Sequence, residues 1–287
     1  MLRYLFWCAN EHTDFRLAEF EALSRLFDIP LNYVEKNTRE PWIILDLPSE
    51  AEAKQILTRS IATKYCIEIW GDGHSYEDVH AKVKAYPKDR VTPYLAADQS
   101  FKVYVEGFMK KFNLEQRLEK IEAFNYIPFA GPVRMKDPDN VFSLFEFYGL
   151  DQNRLPDAPR RVFFGRCVGE GRRDLIPRMS IKTRRFIGNT TMDPQLSLLM
   201  SNLALVRDGS LVLDPFVGTG SLLVAAAQFG GYVLGGDIDY LLLHARTRPS
   251  RVGQKKRAAD ENIRANFEQY GLESRYRRRE IISKTQS

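Results

Sequence analysis

The apolar pattern predicts an α/β chain, with an α+β N-terminal half and a strand–glycine turn–helix–strand unit near the C-terminus. Three observations carry this. Short apolar strands alternate with segments at helical spacing over residues 1–86; the alternation resumes after an irregular stretch at 89–100; and Gly218 and Gly220 separate an apolar strand from a helix. A length of 287 residues accommodates two domains and a small third. Apolar residues at 44% and charged residues at 28% exclude a disordered, collagenous or purely coiled-coil chain.

Arg3 to Ala9 reads as the first strand. Asp14 offers an N-cap, and Leu17, Phe20, Leu23 and Phe27 fall on one helical face until Pro30 ends the helix. Trp42 to Leu47 is a second strand. Ser49-Glu50-Ala51-Glu52 reads as a capping box opening a helix to about Arg59. Ile61 to Trp70 is a third strand, closed by Gly71-Asp72-Gly73, and Ser75 caps a helix to about Tyr86. The order β-α-β-α-β fits a small α/β or ferredoxin-like sheet. Asp89 to Ser100, with Pro93, marks a boundary. Phe101 to Glu106 alternates as a strand, Asn113 with Gln116 caps a helix to about Phe124, and Val141 to Phe147 and Arg161 to Val168 read as two more strands.

Arg160, Arg161, Arg166, Arg172, Arg173, Arg178, Lys182, Arg184 and Arg185 crowd the middle of the chain, opposed by only Glu170 and Asp174. With a net charge of +5, such a field suits a polyanion and equally suits a solvated basic face. Cys8, Cys66 and Cys167 are too scattered for a zinc motif or a disulfide framework, and suit a reducing compartment. The aromatic N-terminus, followed by Glu11 and Asp14, lacks the features of a signal or transit peptide, so a cytoplasmic location is expected. The longest apolar run, Leu222 to Ala227, falls far short of the roughly 20 residues of a membrane span.

The most informative stretch runs from Ser210 to Asp237. Leu211 to Leu213 is a short buried-type strand ending at Asp214-Pro215, Ser221 to Phe229 a helix closed by Gly230-Gly231, and Tyr232 to Gly236 a second strand ending at Asp237. An acid at that place typically receives ribose hydroxyls. Two cofactors compete. A dinucleotide wants a third glycine where Leu223 stands, and its pyrophosphate would meet Asp214. S-adenosylmethionine carries an ammonium and a sulfonium and no phosphate, so Asp214 favours it. An NAD-dependent oxidoreductase is the weaker alternative.

These residues resemble a known family. Asp214-Pro-Phe-Val-Gly-Thr-Gly220 is similar to the cofactor loop of RNA and DNA amino-group methyltransferases. Arg185 to Asp193 resembles the segment before that loop in THUMP-containing tRNA methyltransferases. Gly131 to Asp139, Val141 to Gly149, Val162 to Gly165 and Gly171 to Leu175 resemble the end of a THUMP domain, and Asp260 to Asn266 with Gln269-Tyr-Gly271 continue the pattern. Together they resemble the eukaryotic tRNA (guanine-N2)-methyltransferases that act on guanosine 10.

The resemblance implies a ferredoxin-like domain over 1–95, a THUMP RNA-binding domain over 96–175, a basic linker over 176–195 and an incomplete Rossmann-like methyltransferase domain over 196–287. It implies S-adenosylmethionine as cofactor and tRNA as partner, with a small zinc-binding activator subunit and no metal in this chain. Asp214, Gly218 and Gly220 would hold the methionine part of the donor. Asp237 would hold the ribose, with Asp239 as second candidate, and Met192 would lie against the cofactor or serve packing alone. Arg172, Arg173, Lys182, Arg184 and Arg185 are the expected RNA ligands. The family's Asp-Pro-Pro-Tyr motif, which holds the guanine amine, does not occur in this sequence, so no catalytic residue is named. The expectation is a C-terminally truncated form that binds tRNA and transfers no methyl group.

Overall fold

In a computed structural model, residues 1–258 and 260–276 are described. Residues 277–287 and residue 259 lie outside them. The elements are β1 (Leu2–Cys8), α1 (Arg16–Phe27), β2 (Asn32–Glu35), β3 (Trp42–Leu47), α2 (Glu50–Leu57), β4 (Thr63–Gly73), α3 (Tyr76–Ala85), α4 (Lys88–Val91), β5 (Phe101–Phe108), α5 (Leu114–Glu122), β6 (Asn140–Phe147) and β7 (Arg161–Glu170). They continue as α6 (Leu175–Arg178), α7 (Pro194–Leu203), β8 (Leu211–Asp214), α8 (Ser221–Gln228), β9 (Tyr232–Gly235), α9 (Tyr240–Leu243) and α10 (Ile263–Tyr270).

The chain divides into two units. The first comprises residues 1–13, 30–57 and 63–170; the second comprises 14–29, 58–62 and 171–287. In the first, seven strands form one sheet in the order β2-β3-β1-β4-β7-β6-β5. The four strands β2-β3-β1-β4 pair antiparallel, which is the strand order of a ferredoxin-like βαββαβ motif. The sequence pattern omits β2, a four-residue edge strand whose side chains alternate between exposed and half-buried. Beyond β4, β7 joins antiparallel, β6 antiparallel to β7, and β5 parallel to β6 through the α5 crossover. Trp7 anchors one face of this sheet. It stacks on Phe145 at 4.9 Å, and its indole N–H donates to Glu106 at 3.1 Å.

The boundary expected at residue 95 does not divide this unit. The β4–β7 pairing, from Tyr65↔Glu170 to Gly73↔Val162, fuses the two expected N-terminal domains into one sheet. The caps at Ser75 and Asn113 form where the sequence predicts them, and the structure shows each as a capping box, closed by Asp78 and Gln116. Ser49 is capped differently: Glu52 reaches back to the Ser49 amide, while the Ser49 hydroxyl accepts from Ala51 rather than from Glu52. Asp14 is not an N-cap. It sits in a 3-10 turn, and α1 starts after Phe15 without a side-chain cap.

In the second unit, β8 and β9 pair parallel from Leu211↔Tyr232 to Asp214↔Gly235, with α8 as the crossover. Tyr276 bridges Val233 in parallel on the other side of β9. The core gathers Leu223, Val224, Phe229, Val233, Ile263 and Phe267, with Phe186 and Leu198 from preceding segments. Helix α1 lies against α7 here. Beneath them Glu19, fully buried, accepts from the amides of Ile61 and Ala62 and from Asn202 at 2.7–2.9 Å. Asn202 Oδ1 in turn accepts from Arg59 Nε and Nη2 at 3.1 and 2.9 Å. Burial raises the Glu19 carboxyl above its ordinary range and pushes the Arg59 guanidinium down to about 10.

Candidate functional site

The site is built at the carboxyl ends of β8 and β9. Asp214 ends β8, and its Oδ1 accepts from the Phe216 amide at 2.9 Å, turning the chain off the strand. The Val217 amide donates to the Gly236 carbonyl at 2.8 Å, and Gly236 donates to the Asp214 carbonyl at 2.9 Å, so the turn stays attached to the end of β9. Gly218 and Gly220 adopt φ of 52° and 83°, the left-handed region that side chains disfavour. Asp237 Oδ2 accepts from the Gly218 amide at 2.8 Å, and its Oδ1 from the Asp239 amide at 2.9 Å. The expected ribose acid and the expected methionine turn are therefore directly connected.

Asp239 has another task. It caps α9, accepting from the Leu242 amide at 2.9 Å. Both acids thus accept from backbone amides, Asp237 through both of its oxygens and Asp239 through one. Met192 is half-buried just before Asp193, which caps α7 through the amides of Gln195 and Leu196. Phe216 and Ile238, on the two loops, are 81% and 97% exposed.

Several supporting residues are not evident in the sequence pattern. A Cβ at Gly235 would lie 2.6–2.9 Å from Val217 and Leu223, so only glycine lets β9 approach the turn. Thr191 Oγ1 lies 3.0 Å from Thr219 Oγ1, and the Asn266 amide donates to the carbonyls of Thr219 and Phe186. The sequence does carry signals for their elements: Asp193-Pro194 announces α7, and Asn262 and Gly271 bracket α10.

The expected RNA ligands separate. Lys182 and Arg185 are exposed. Arg172 is half-exposed and pairs with Asp174 at 3.0 Å; Arg173 is half-buried and donates to the Ile61 carbonyl at 3.0 Å. Arg184 corrects the expectation. It is 1% exposed, with Nη1 donating to Ser221 at 2.7 Å, Nη2 to the Met179 carbonyl at 3.0 Å and Nε to Tyr270 at 3.4 Å. It braces the start of α8 and presents nothing to RNA. The basic field also thins in the first unit. Arg161 pairs with Glu35 and Asp72 at 2.6 Å, and Arg166 with Glu50 and Glu68. Arg154 and Arg160 remain exposed at a cavity of about 800 Å³ that Trp42, His74 and Phe147 also line.

Residues 2–173 match the family model described as Tmrp11 THUMP N-terminal domain, and residues 182–284 match the RMKL-like methyltransferase domain. The glycine turn falls inside the methyltransferase match, which sets aside the oxidoreductase alternative. The tRNA (guanine(10)-N(2))-methyltransferase TRMT11 of Mus musculus is 44% identical over 275 residues, 96% of this chain and 60% of that protein. The tRNA (guanine(10)-N(2))-methyltransferase of Saccharomyces cerevisiae is 33% identical over 278 residues, 96% of this chain and 61% of that protein. The chain thus spans about 60% of the length of these curated relatives. The crystal structure of TrmN from Thermus thermophilus superposes with a TM-score of 0.50 at 19% identity, over 97% of this chain and 73% of that one, a likeness of fold. The chain belongs to the family marked by the Tmrp11 THUMP N-terminal domain, joined here to an RMKL-like methyltransferase domain.

Proposed function

We propose that this chain is the tRNA- and cofactor-binding part of an S-adenosylmethionine-dependent tRNA methyltransferase acting on the exocyclic N2 of guanosine 10. One observation carries the reading. The Asp214–Gly220 turn and Asp237, joined by the Gly218–Asp237 hydrogen bond, lie in a methyltransferase domain fused to a THUMP domain.

The donor set suits the cofactor. S-adenosylmethionine, when bound, supplies an electrophilic methyl group. Asp214 has one carboxylate oxygen engaged by the Phe216 amide, which leaves the other to balance a cation. Gly218 and Gly220 keep side chains out of the turn where the methionine portion would lie. Each Asp237 oxygen accepts one backbone amide and keeps a lone pair for a ribose hydroxyl. Met192 would pack against the cofactor. Lys182 and Arg185, with Arg172 and Arg173 in their half-paired positions, would meet tRNA phosphates. The activator subunit and a cytoplasmic location belong to this proposal through the family resemblance; among the described residues no helix is long and apolar enough to cross a membrane.

No residue is assigned to the chemical step, since the sequence holds no Asp-Pro-Pro-Tyr motif. Titration calorimetry tests the cofactor assignment. S-adenosylmethionine should bind, S-adenosylhomocysteine should compete, and Asp214→Asn should weaken both. Binding of NAD in preference to S-adenosylmethionine would overturn the assignment.

A further inference from the structure

Between Asp239 and Asp260 the sequence has no acidic residue, yet it holds Arg246, Arg248, Arg251, Lys255, Lys256 and Arg257. The structure sorts these six into two kinds. Arg251 and Arg257 turn inward. Arg251 donates to the carbonyls of Arg184 and Arg185. Arg257 donates to the carbonyls of Ile187, Thr247 and Arg248 at 3.2, 2.9 and 2.9 Å, and lies 4.8 Å over the Phe186 ring. Each guanidinium fork satisfies carbonyls that no helix or strand uses. Together they fasten an irregular segment onto residues 184–187. The same stretch of chain braces the glycine turn, through Arg184 on Ser221 and Thr191 on Thr219.

The other four, Arg246, Arg248, Lys255 and Lys256, are exposed. None pairs with a carboxylate among the described residues; Arg246 rests 5.8 Å over the Tyr240 ring. Lys182 and Arg185, also exposed, lie on or beside the stretch to which the segment is fastened. Like charges held together without counter-charges repel one another, and a merely solvated loop requires no such anchoring. No Phe, Tyr or Trp occurs between Tyr240 and Phe267, so there is no platform on which bases could stack. Charge without stacking groups selects the nucleic-acid backbone rather than its bases.

We propose that residues 246–257 form a basic arm that grips RNA backbone phosphates beside the glycine turn, with Arg246, Arg248, Lys255 and Lys256 as the phosphate ligands and Arg251 and Arg257 as its anchors. This rests on the reading that the chain binds tRNA, and adds a second-unit contact outside the Arg172–Arg185 region.

The test is the salt dependence of binding of an unmodified tRNA transcript to the full chain. Combining Arg246→Gln, Arg248→Gln, Lys255→Gln and Lys256→Gln should lower the slope of log affinity against log salt by about 3, at roughly 0.7–0.9 for each phosphate no longer neutralised. The charge-keeping set Arg246→Lys, Arg248→Lys, Lys255→Arg and Lys256→Arg should retain the wild-type slope, which separates charge from any effect on folding. A neutral variant with the wild-type slope would overturn the arm while leaving tRNA binding intact. A wild-type chain that binds no tRNA would overturn the tRNA reading and the arm with it.

Discussion

Arg184 separates a structural role from an RNA-binding one. Its guanidinium is buried and makes two short hydrogen bonds, to Ser221 and the Met179 carbonyl, and one longer one to Tyr270. A hydrogen bond from a charged group contributes about 1.5–3 kcal/mol net, so the two short ones are worth roughly 3–6 kcal/mol together. Arg184→Met fills similar space but leaves the Ser221 hydroxyl and the Met179 carbonyl without a donor. It should destabilise the second unit by that full amount, which at about 3 °C per kcal/mol lowers Tm by about 9–18 °C. Arg184→Lys should lose roughly 2 kcal/mol, because one ammonium cannot span acceptors placed for a planar fork. Circular dichroism melting gives the stability. Hydrogen exchange of the α8 amides locates the loss, and tRNA titration below the transition measures the salt slope. The slope of Arg184→Met should equal wild type, because a guanidinium engaged with Ser221 and the Met179 carbonyl neutralises no phosphate. An unchanged Tm together with a slope lowered by about 1 would show that Arg184 faces phosphate and that its buried placement is wrong.

Three further outcomes follow from the geometry. Asp237→Ala should weaken S-adenosylmethionine by about 1–3 kcal/mol in calorimetry, whereas Asp239→Ala should mainly fray α9; the reverse pattern would move the ribose to Asp239. Gly235→Ala should cost about 1–3 kcal/mol by overpacking Val217 and Leu223, and should weaken cofactor binding as the turn shifts; a wild-type melt would refute that contact. Asn202→Asp places a second carboxyl where the amide donates to Glu19 at 2.7 Å, and the two must share a proton. The folded pKa of that pair is raised. Its stabilisation is therefore present below the unfolded carboxylate value of about 4 and is lost as pH rises through the folded value. Relative to wild type, the variant should be near-normal at about pH 4 and weakened by roughly 3–5 kcal/mol at pH 7; a difference independent of pH would refute the shared proton.

Local chemistry is legible in the sequence, and long-range placement is not. The caps at Ser75 and Asn113 and the left-handed glycines at 218 and 220 are set by neighbouring residues, and they stand where the pattern puts them. The fused sheet depends on Tyr65 meeting Glu170, a pairing that no local window contains. The assignment of α1 to the second unit rests on its packing against α7, far along the chain. Lys182 and Arg184 look alike in sequence, yet one is exposed and the other has its whole guanidinium engaged. β2 escapes the pattern because a four-residue edge strand carries too short an alternation to register. The arm at 246–257 does carry a signal, a run of cations without acids, but the denser cluster upstream overshadows it.

The central claim concerns a single modified nucleoside. In cells lacking the gene for this chain, mass spectrometry of purified tRNAs should show loss of N2-methylguanosine at position 10. The intact gene should restore it, and the same gene carrying Asp214→Ala should not. Full retention of N2-methylguanosine at position 10 in the deletion, with no other tRNA site altered, would contradict the account.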